Sequence, residues 1–204
     1  MAITLSNLHL LQPKGRYFRR IKTYQPLELK ATFPHLIPGE YPSAWKGLEA
    51  IIHDIMNQSQ IDAHSCLEFG VEFGYSTAVF ANYFDEVTGV DLFTGDIHAG
   101  YKQGVFEIAT ENLKPFKNVS LIKNDYKDFI KDNNNQFDLI HVDIIHSYEA
   151  TYDCGLWSAQ HSKCTLFHDT ESFLSVKRAV CDIAKKTRKS FYNYPYFNGL
   201  GILY

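Results

Sequence analysis

The chain has 204 residues, 45% hydrophobic and 21% charged, with a formal net charge of -3 at pH 7. This length suits one domain able to bury a core without disulfide or metal staples. The weak negative charge excludes a global attraction to nucleic acid or to an anionic membrane surface, and no apolar run approaches the ~20 residues of a membrane helix. Met1 to Leu11 lacks a charged start followed by a long apolar stretch, so a soluble cytoplasmic protein is expected. Cys66, Cys154, Cys164 and Cys181 show no CxxC pair or zinc spacing, and Cys66 and Cys164 read as buried thiols within apolar runs.

Residues 1–42 are broken up by Pro13, Pro26, Pro34, Pro38 and Pro42 and read as an N-terminal extension on a main domain of residues 43–204. Within the extension, Lys14, Arg16, Arg19, Arg20 and Lys22 form a basic run. It is either a solvated arm or a surface for an anionic partner. A helix is expected after Ser43, an N-cap residue, with Trp45, Leu48, Ile51, Ile52 and Ile55 at helical spacing.

From His64 onward, short apolar strand runs alternate with helical patterns. The strands are expected at Ser65–Phe69, Glu86–Val90, Val119–Lys123, Phe137–Val142 and Cys164–Phe167. Helices are expected at Ser76–Tyr83, Gln103–Leu113, Tyr126–Lys131, Tyr148–Ala159 and Ser175–Lys186. This alternation implies an α/β, Rossmann-like, doubly wound and mostly parallel sheet covered on both faces. Lys189–Phe197 and Leu200–Tyr204, joined at Asn198-Gly199, predict a C-terminal antiparallel hairpin.

Cys66 to Thr77 reads as strand, turn and helix start. Gly70 permits the tight turn, and Gly74 permits a close approach. Ser76 and Thr77 place hydroxyls at a helix N-terminus, where a carboxylate is favoured. Val71, Glu72 and Phe73 fill the space that a phosphate-binding GxGxxG turn would leave open. Glu68 and Glu72 repel a pyrophosphate but attract a ligand bearing an amino group. Asp91 ends the next strand, where a carboxylate accepts ribose hydroxyls. Asp125 and Tyr126 follow a strand end suited to adenine contacts.

These segments resemble class I methyltransferases of the catechol O-methyltransferase type, and more closely those of the methyltransferase domain 24 type. The matching segments are Leu67-Glu68-Phe69-Gly70, Gly74-Tyr75-Ser76-Thr77, Val90-Asp91, Asp143 with His146-Ser147-Tyr148-Glu149, and Phe167-His168-Asp169-Thr170. The resemblance implies the seven-stranded methyltransferase fold and S-adenosylmethionine as cofactor. It implies O-methylation of a small-molecule or sugar-type acceptor. Glu68, Gly70, Gly74, Ser76, Asp91, Asp125, Tyr126 and Asp143 become cofactor-binding candidates. His146 stands where such enzymes put a general base and Asp143 near the methionine end, so both are catalytic candidates. Asp143 and Asp169 are candidate ligands for Mg2+.

Ile144, Ile145 and Thr170 depart from the residues that metal-using relatives carry, and the usual Pro-Gly-Gly turn is replaced by Gln160-His161-Ser162-Lys163. These departures count against an essential metal. A non-catalytic module that binds a nucleotide or S-adenosylmethionine is the alternative, and a nicotinamide oxidoreductase is disfavoured by the absent GxGxxG. No membrane or nucleic-acid partner is expected; a homo-oligomer is left open.

Overall fold

The computed structural model describes residues 18, 20–30, 32–37, 43–96, 100–101 and 104–204. In chain order the first elements are β1 (Lys22–Thr23), α1 (Glu49–Ser59), β2 (Ser65–Phe69), α2 (Tyr75–Ala81) and β3 (Glu86–Asp91). A small ribbon of β4 (Gly95–Asp96) and β5 (Gly100–Tyr101) precedes α3 (Val105–Leu113), β6 (Val119–Lys123), α4 (Tyr126–Lys131) and β7 (Phe137–Val142). The chain ends with α5 (Tyr148–His161), β8 (Ser162–His168), α6 (Leu174–Thr187), β9 (Phe191–Tyr194) and β10 (Leu200–Leu203).

The main sheet has eight strands in the order β1-β9-β10-β8-β7-β2-β3-β6. Its five central strands run parallel, and β10 and β9 close one side antiparallel. Seven of the strands are those the sequence pattern predicts. The eighth, β1, comes from the N-terminal segment and pairs with β9. Period-2 alternation divides the core between the two faces. Cys66, Leu139 and Leu166 pack with Ile51, Ile55, Val79 and Phe80. Leu67, Phe69, Ile140 and Phe167 pack with Cys154, Val176, Val180 and Ile183.

Two expectations are corrected, and one element is unanticipated. The helix expected after Ser43 begins at Glu49, because Gly47 has φ 105° and interrupts any helical path. Ser43 Oγ accepts from Trp45 N at 3.2 Å, and Glu49 accepts from Gly47 N at 2.6 Å. The terminal hairpin turns through residues 195–199 rather than a two-residue loop, with Phe197, Asn198 and Gly199 all at positive φ. The β4–β5 ribbon has no counterpart in the sequence pattern. The start of the third predicted helix, Gln103, lies outside the described residues, as do Lys14, Arg16 and Arg19.

Ile140 is fully buried in β7, between β2 and β8. Ile140→Ala removes buried methyl groups and leaves a cavity, so it should cost about 2–5 kcal/mol. Urea unfolding should show a lower midpoint with an unchanged slope; an unchanged midpoint would contradict this packing.

Candidate active site

After β2 the chain proceeds outward to β3 and β6, then returns to the other flank of β2 for β7 and β8. The connections leaving β2 and β7 therefore part, opening a crevice at the carboxyl ends of the strands. Asp143 N donates to Phe69 O at 2.8 Å, and Gly70 N donates to Val90 O at 3.0 Å, which seats the turn between its neighbours. Gly70 has φ 90°, and a Cβ there would lie 1.7 Å from the Asp143 carbonyl oxygen. Above this turn lies a cavity of about 710 Å³ whose walls include Gly70, Ser76, Asp91, Asp125, Tyr126, Asp143, His146 and Asp169.

Asp91 holds the turn together. One carboxylate oxygen accepts from Val71 N at 2.7 Å and Glu72 N at 2.9 Å, and the other accepts from Phe93 N at 2.7 Å. A carboxylate offers about four acceptor sites, so some capacity remains toward the cavity. Asp125 caps α4 by accepting from Lys127 N at 2.8 Å. Burial pushes the Tyr126 phenol beside it up to about 12.

Two predicted site residues lie off the cavity wall. Glu68 is fully buried. Its carboxylate accepts from the Ser76 and Thr77 hydroxyls and meets His141 Nδ1 at 2.9 Å. The carboxylate served by those hydroxyls is thus the protein's own, and the expected attraction of Glu68 for a ligand ammonium has no direct route. Gly74 starts α2 at φ 90°, and a Cβ there would lie 2.7 Å from Leu113 Cδ1. Its close approach is to the α3 side chain.

At the reacting end, β7 and β8 bring two carboxylates and two imidazoles together. His146 Nε2 lies 2.9 Å from Asp169 and 3.7 Å from Asp143. His168 Nδ1 lies 3.2 Å from Asp143 and 3.5 Å from Asp169. His168 Nε2 donates to Phe197 O at 3.2 Å, so a hydrogen bond from Nδ1 to Asp143 requires the imidazolium form. Phe173 stacks on His146 at 4.2 Å between ring centroids and 17° between planes. Thr170 donates instead to Asn193 Oδ1 at 2.6 Å and does not join the cluster.

The charges reinforce one another. Burial alone would lower the His146 pKa, but hydrogen bonds and charge from Asp143 and Asp169 raise it to about 9. Burial would raise Asp143, yet the charge of His168 and the bond from His146 hold it well below the usual carboxylate range. For His168, burial lowers the pKa but Asp143 outweighs it, and the value rises. Among the described residues, Asp143, His146 and Asp169 place one possible metal-donor atom each within 4.8 Å of one another.

The sequence reasoning missed His168, Phe173 and Trp45 as parts of the site. His168 was legible only as a neighbour of Asp169 at a strand end. Trp45, from the turn before α1, borders the cavity with its ring 6.0 Å from His168. No spacing pattern singles out Phe173.

A methyltransferase domain model matches residues 67–170, spanning the Gly70 turn, the Asp91 strand end and the acid–imidazole cluster. The chain belongs to the methyltransferase domain family. The structure of the O-methyltransferase from Bacillus cereus in complex with SAH superposes with TM-score 0.58 at 16% identity, covering 82% of this chain and 84% of that one. The SAH-bound methyltransferase from Podospora anserina gives TM-score 0.52 at 17% identity, covering 83% and 88%. At these identities the likeness establishes a shared fold. No curated protein sequence matches the chain at a comparable level. No helix among the described residues is long and apolar enough to cross a membrane.

In this methyltransferase domain the His146 pKa of about 9 exceeds its ordinary value of 6.5. A raised imidazole contributes stability fully below about pH 6.5 and loses it as pH rises through about 9. The urea midpoint of the ligand-free protein should fall between pH 6.5 and 9.5, and fall less in His146→Asn. Equal losses in both proteins would remove His146 from the charge cluster.

Proposed function

We propose that this methyltransferase domain uses S-adenosylmethionine to methylate a hydroxyl of a small-molecule or sugar-type acceptor. The observation that carries this reading is the continuity of one cavity from the Asp91-held Gly70 turn to the Asp143–His146–Asp169 cluster. Its two ends suit the two halves of such a reaction. Asp91 offers its remaining acceptor capacity to a ribose hydroxyl, and Asn124, Asp125 and Tyr126 provide the wall for adenine. Asp143 supplies negative charge for the methionine end. Residues 43–204 carry the cavity walls that this function needs apart from Ile37, and of the N-terminal extension 1–42 the described part adds β1, Tyr24 and Ile37 to the sheet and core of the domain. The four free cysteines fit a reducing, cytoplasmic setting.

When bound, S-adenosylmethionine supplies an electrophilic methyl group on a positively charged sulfur. The protein must hold the acceptor oxygen in line with that methyl and take its proton. His146 is built for the second task, since Phe173 fixes its ring plane and Asp169 fixes Nε2. In the ligand-free site His146 is protonated at neutral pH, because its pKa lies near 9. A positive charge entering the crevice repels that proton and lowers the pKa, which shifts the imidazole toward its basic form. The proton it then takes from the acceptor is stabilised by Asp143 and Asp169.

With His146 free to act as the base, Asp143 and Asp169 would hold a divalent cation such as magnesium through oxygen alone, and such an ion would lower the pKa of an acceptor hydroxyl. If His146 instead served as a third donor, the mixed oxygen and nitrogen set would suit a first-row transition ion better than magnesium, and His146 would not be the base. A second reading, a cofactor-binding module without chemistry, is favoured by the protonated state of His146 in the free site. It predicts that no methyl group leaves the cofactor in the presence of any hydroxylated acceptor.

Calorimetric titration with S-adenosylhomocysteine tests the cofactor assignment. Micromolar binding is expected, weakened at least ten-fold (about 1.4 kcal/mol) in Asp91→Ala. Absence of binding to the folded wild-type protein would overturn the assignment. Magnesium-dependent tightening that disappears in Asp169→Asn would assign a cation to the carboxylate pair.

A further inference from the structure

A second cavity, of about 650 Å³, lies at the opposite end of α6 from the methyltransferase site. The 14-residue helix starts beside Phe173 on the active cavity wall. At 1.5 Å per residue its last turn is about 20 Å away. Five cations line this distal cavity: Arg20 and Lys22 from the N-terminal segment, Lys185 and Arg188 from the end of α6, and Lys189 before β9. Asp182 is the one carboxylate among its lining residues, and it accepts the Tyr148 hydroxyl at 2.9 Å. Among the described residues, no ion pair joins Arg20, Lys22, Lys185 or Arg188 to a carboxylate.

Two structural roles account for part of this charge. Lys185 in the last turn offsets the negative end of the α6 dipole. Lys22 on β1, the outermost strand, discourages edge-to-edge pairing. Neither role explains why cations from two distant stretches, residues 20–22 and 185–189, of a chain with net charge -3 meet around one concavity. The Lys189 ammonium donates to the carbonyls of Ser162 and Lys163, at 2.7 and 2.9 Å, so this residue lines the cavity with its stem and contributes charge rather than a direct contact. Like charges gathered in this way repel one another, and a multivalent anion relieves that repulsion.

We propose that this cavity is a binding site for an organic polyphosphate, a small molecule with two or more linked phosphates on an apolar body. The Arg20 and Arg188 guanidinium forks and the Lys185 ammonium suit several adjacent phosphate oxygens better than a single carboxylate, while Lys22 Nζ rests on Tyr192 at 3.2 Å from its hydroxyl and adds its charge from the rim. Ile21, Ala184 and Phe191 line the same cavity and offer an apolar surface for the body. Its concavity and volume suit a small ligand rather than a nucleic-acid duplex, whose convex backbone needs an open surface. The site touches none of the residues of the methyltransferase cavity.

Calorimetry with inorganic pyrophosphate and geranyl diphosphate at about 0.1 M salt, where the Debye length is about 10 Å, reads this directly. Both probes are expected to bind, with geranyl diphosphate the tighter because of the apolar wall. The exposed double substitution Arg20→Glu with Arg188→Glu should weaken each at least ten-fold without moving the urea midpoint. Asp91→Ala should leave both affinities unchanged, which separates this site from the cofactor crevice. Failure of both probes to bind at millimolar concentration, or wild-type affinity in the double variant, would overturn the proposal.

Discussion

A Cβ on Gly70 would lie 1.7 Å from the Asp143 carbonyl oxygen, so β2 and β7 can end side by side only because that position carries no side chain. From this contact the rest follows. The strands stay paired to their last residues, their connections part in opposite directions, and a crevice opens where they separate. Asp91 then fixes the turn from the β3 side through three backbone N–H groups. The result is a floor held by backbone hydrogen bonds, with polar groups at both ends of the cavity above it.

Two layers of acid–imidazole contacts lie beneath and above that floor. Below it, Glu68 and His141 pair with both side chains fully buried. A carboxylate in that position must have its acceptor sites filled, and the hydroxyls of Ser76 and Thr77 do so while drawing the start of α2 toward β2. Above it, Asp143 and Asp169 meet His146 and His168. Trp45 stands between the layers, with its ring 4.8 Å from His141 and 6.0 Å from His168. The orientation of His168 therefore depends on packing from the turn before α1 as well as on the strand that carries it.

The parallel core was legible because buried strands need short apolar runs bounded by turn residues. Ser65–Phe69, Val119–Lys123 and Phe137–Val142 coincide with the expected spans for that reason. The site was legible only in part. His168 and Asp169 are adjacent, and strand alternation would send their side chains to opposite faces. Asp169 adopts φ 62° instead, which turns both toward Asp143. Nothing in an aspartate's identity announces that conformation. Glu68 pairs with a histidine 73 residues away, so its burial could not be read from its neighbours, and a charged residue before a glycine turn looked like a ligand contact. The start of α1 was misplaced because a positive φ at Gly47 outweighed the N-cap character of Ser43.

In the proposed reaction the protonation of His146 follows the charge that enters the crevice, and S-adenosylmethionine differs from S-adenosylhomocysteine by a methyl group and the positive charge it places on sulfur. Binding enthalpies of both, measured at pH 7.5 in two buffers of different ionisation enthalpy, count the protons exchanged on binding. The predicted result is release of a proton with S-adenosylmethionine, little release with S-adenosylhomocysteine, and loss of the difference in His146→Asn. Equal proton exchange for the two ligands, or a difference that survives in His146→Asn, would contradict it.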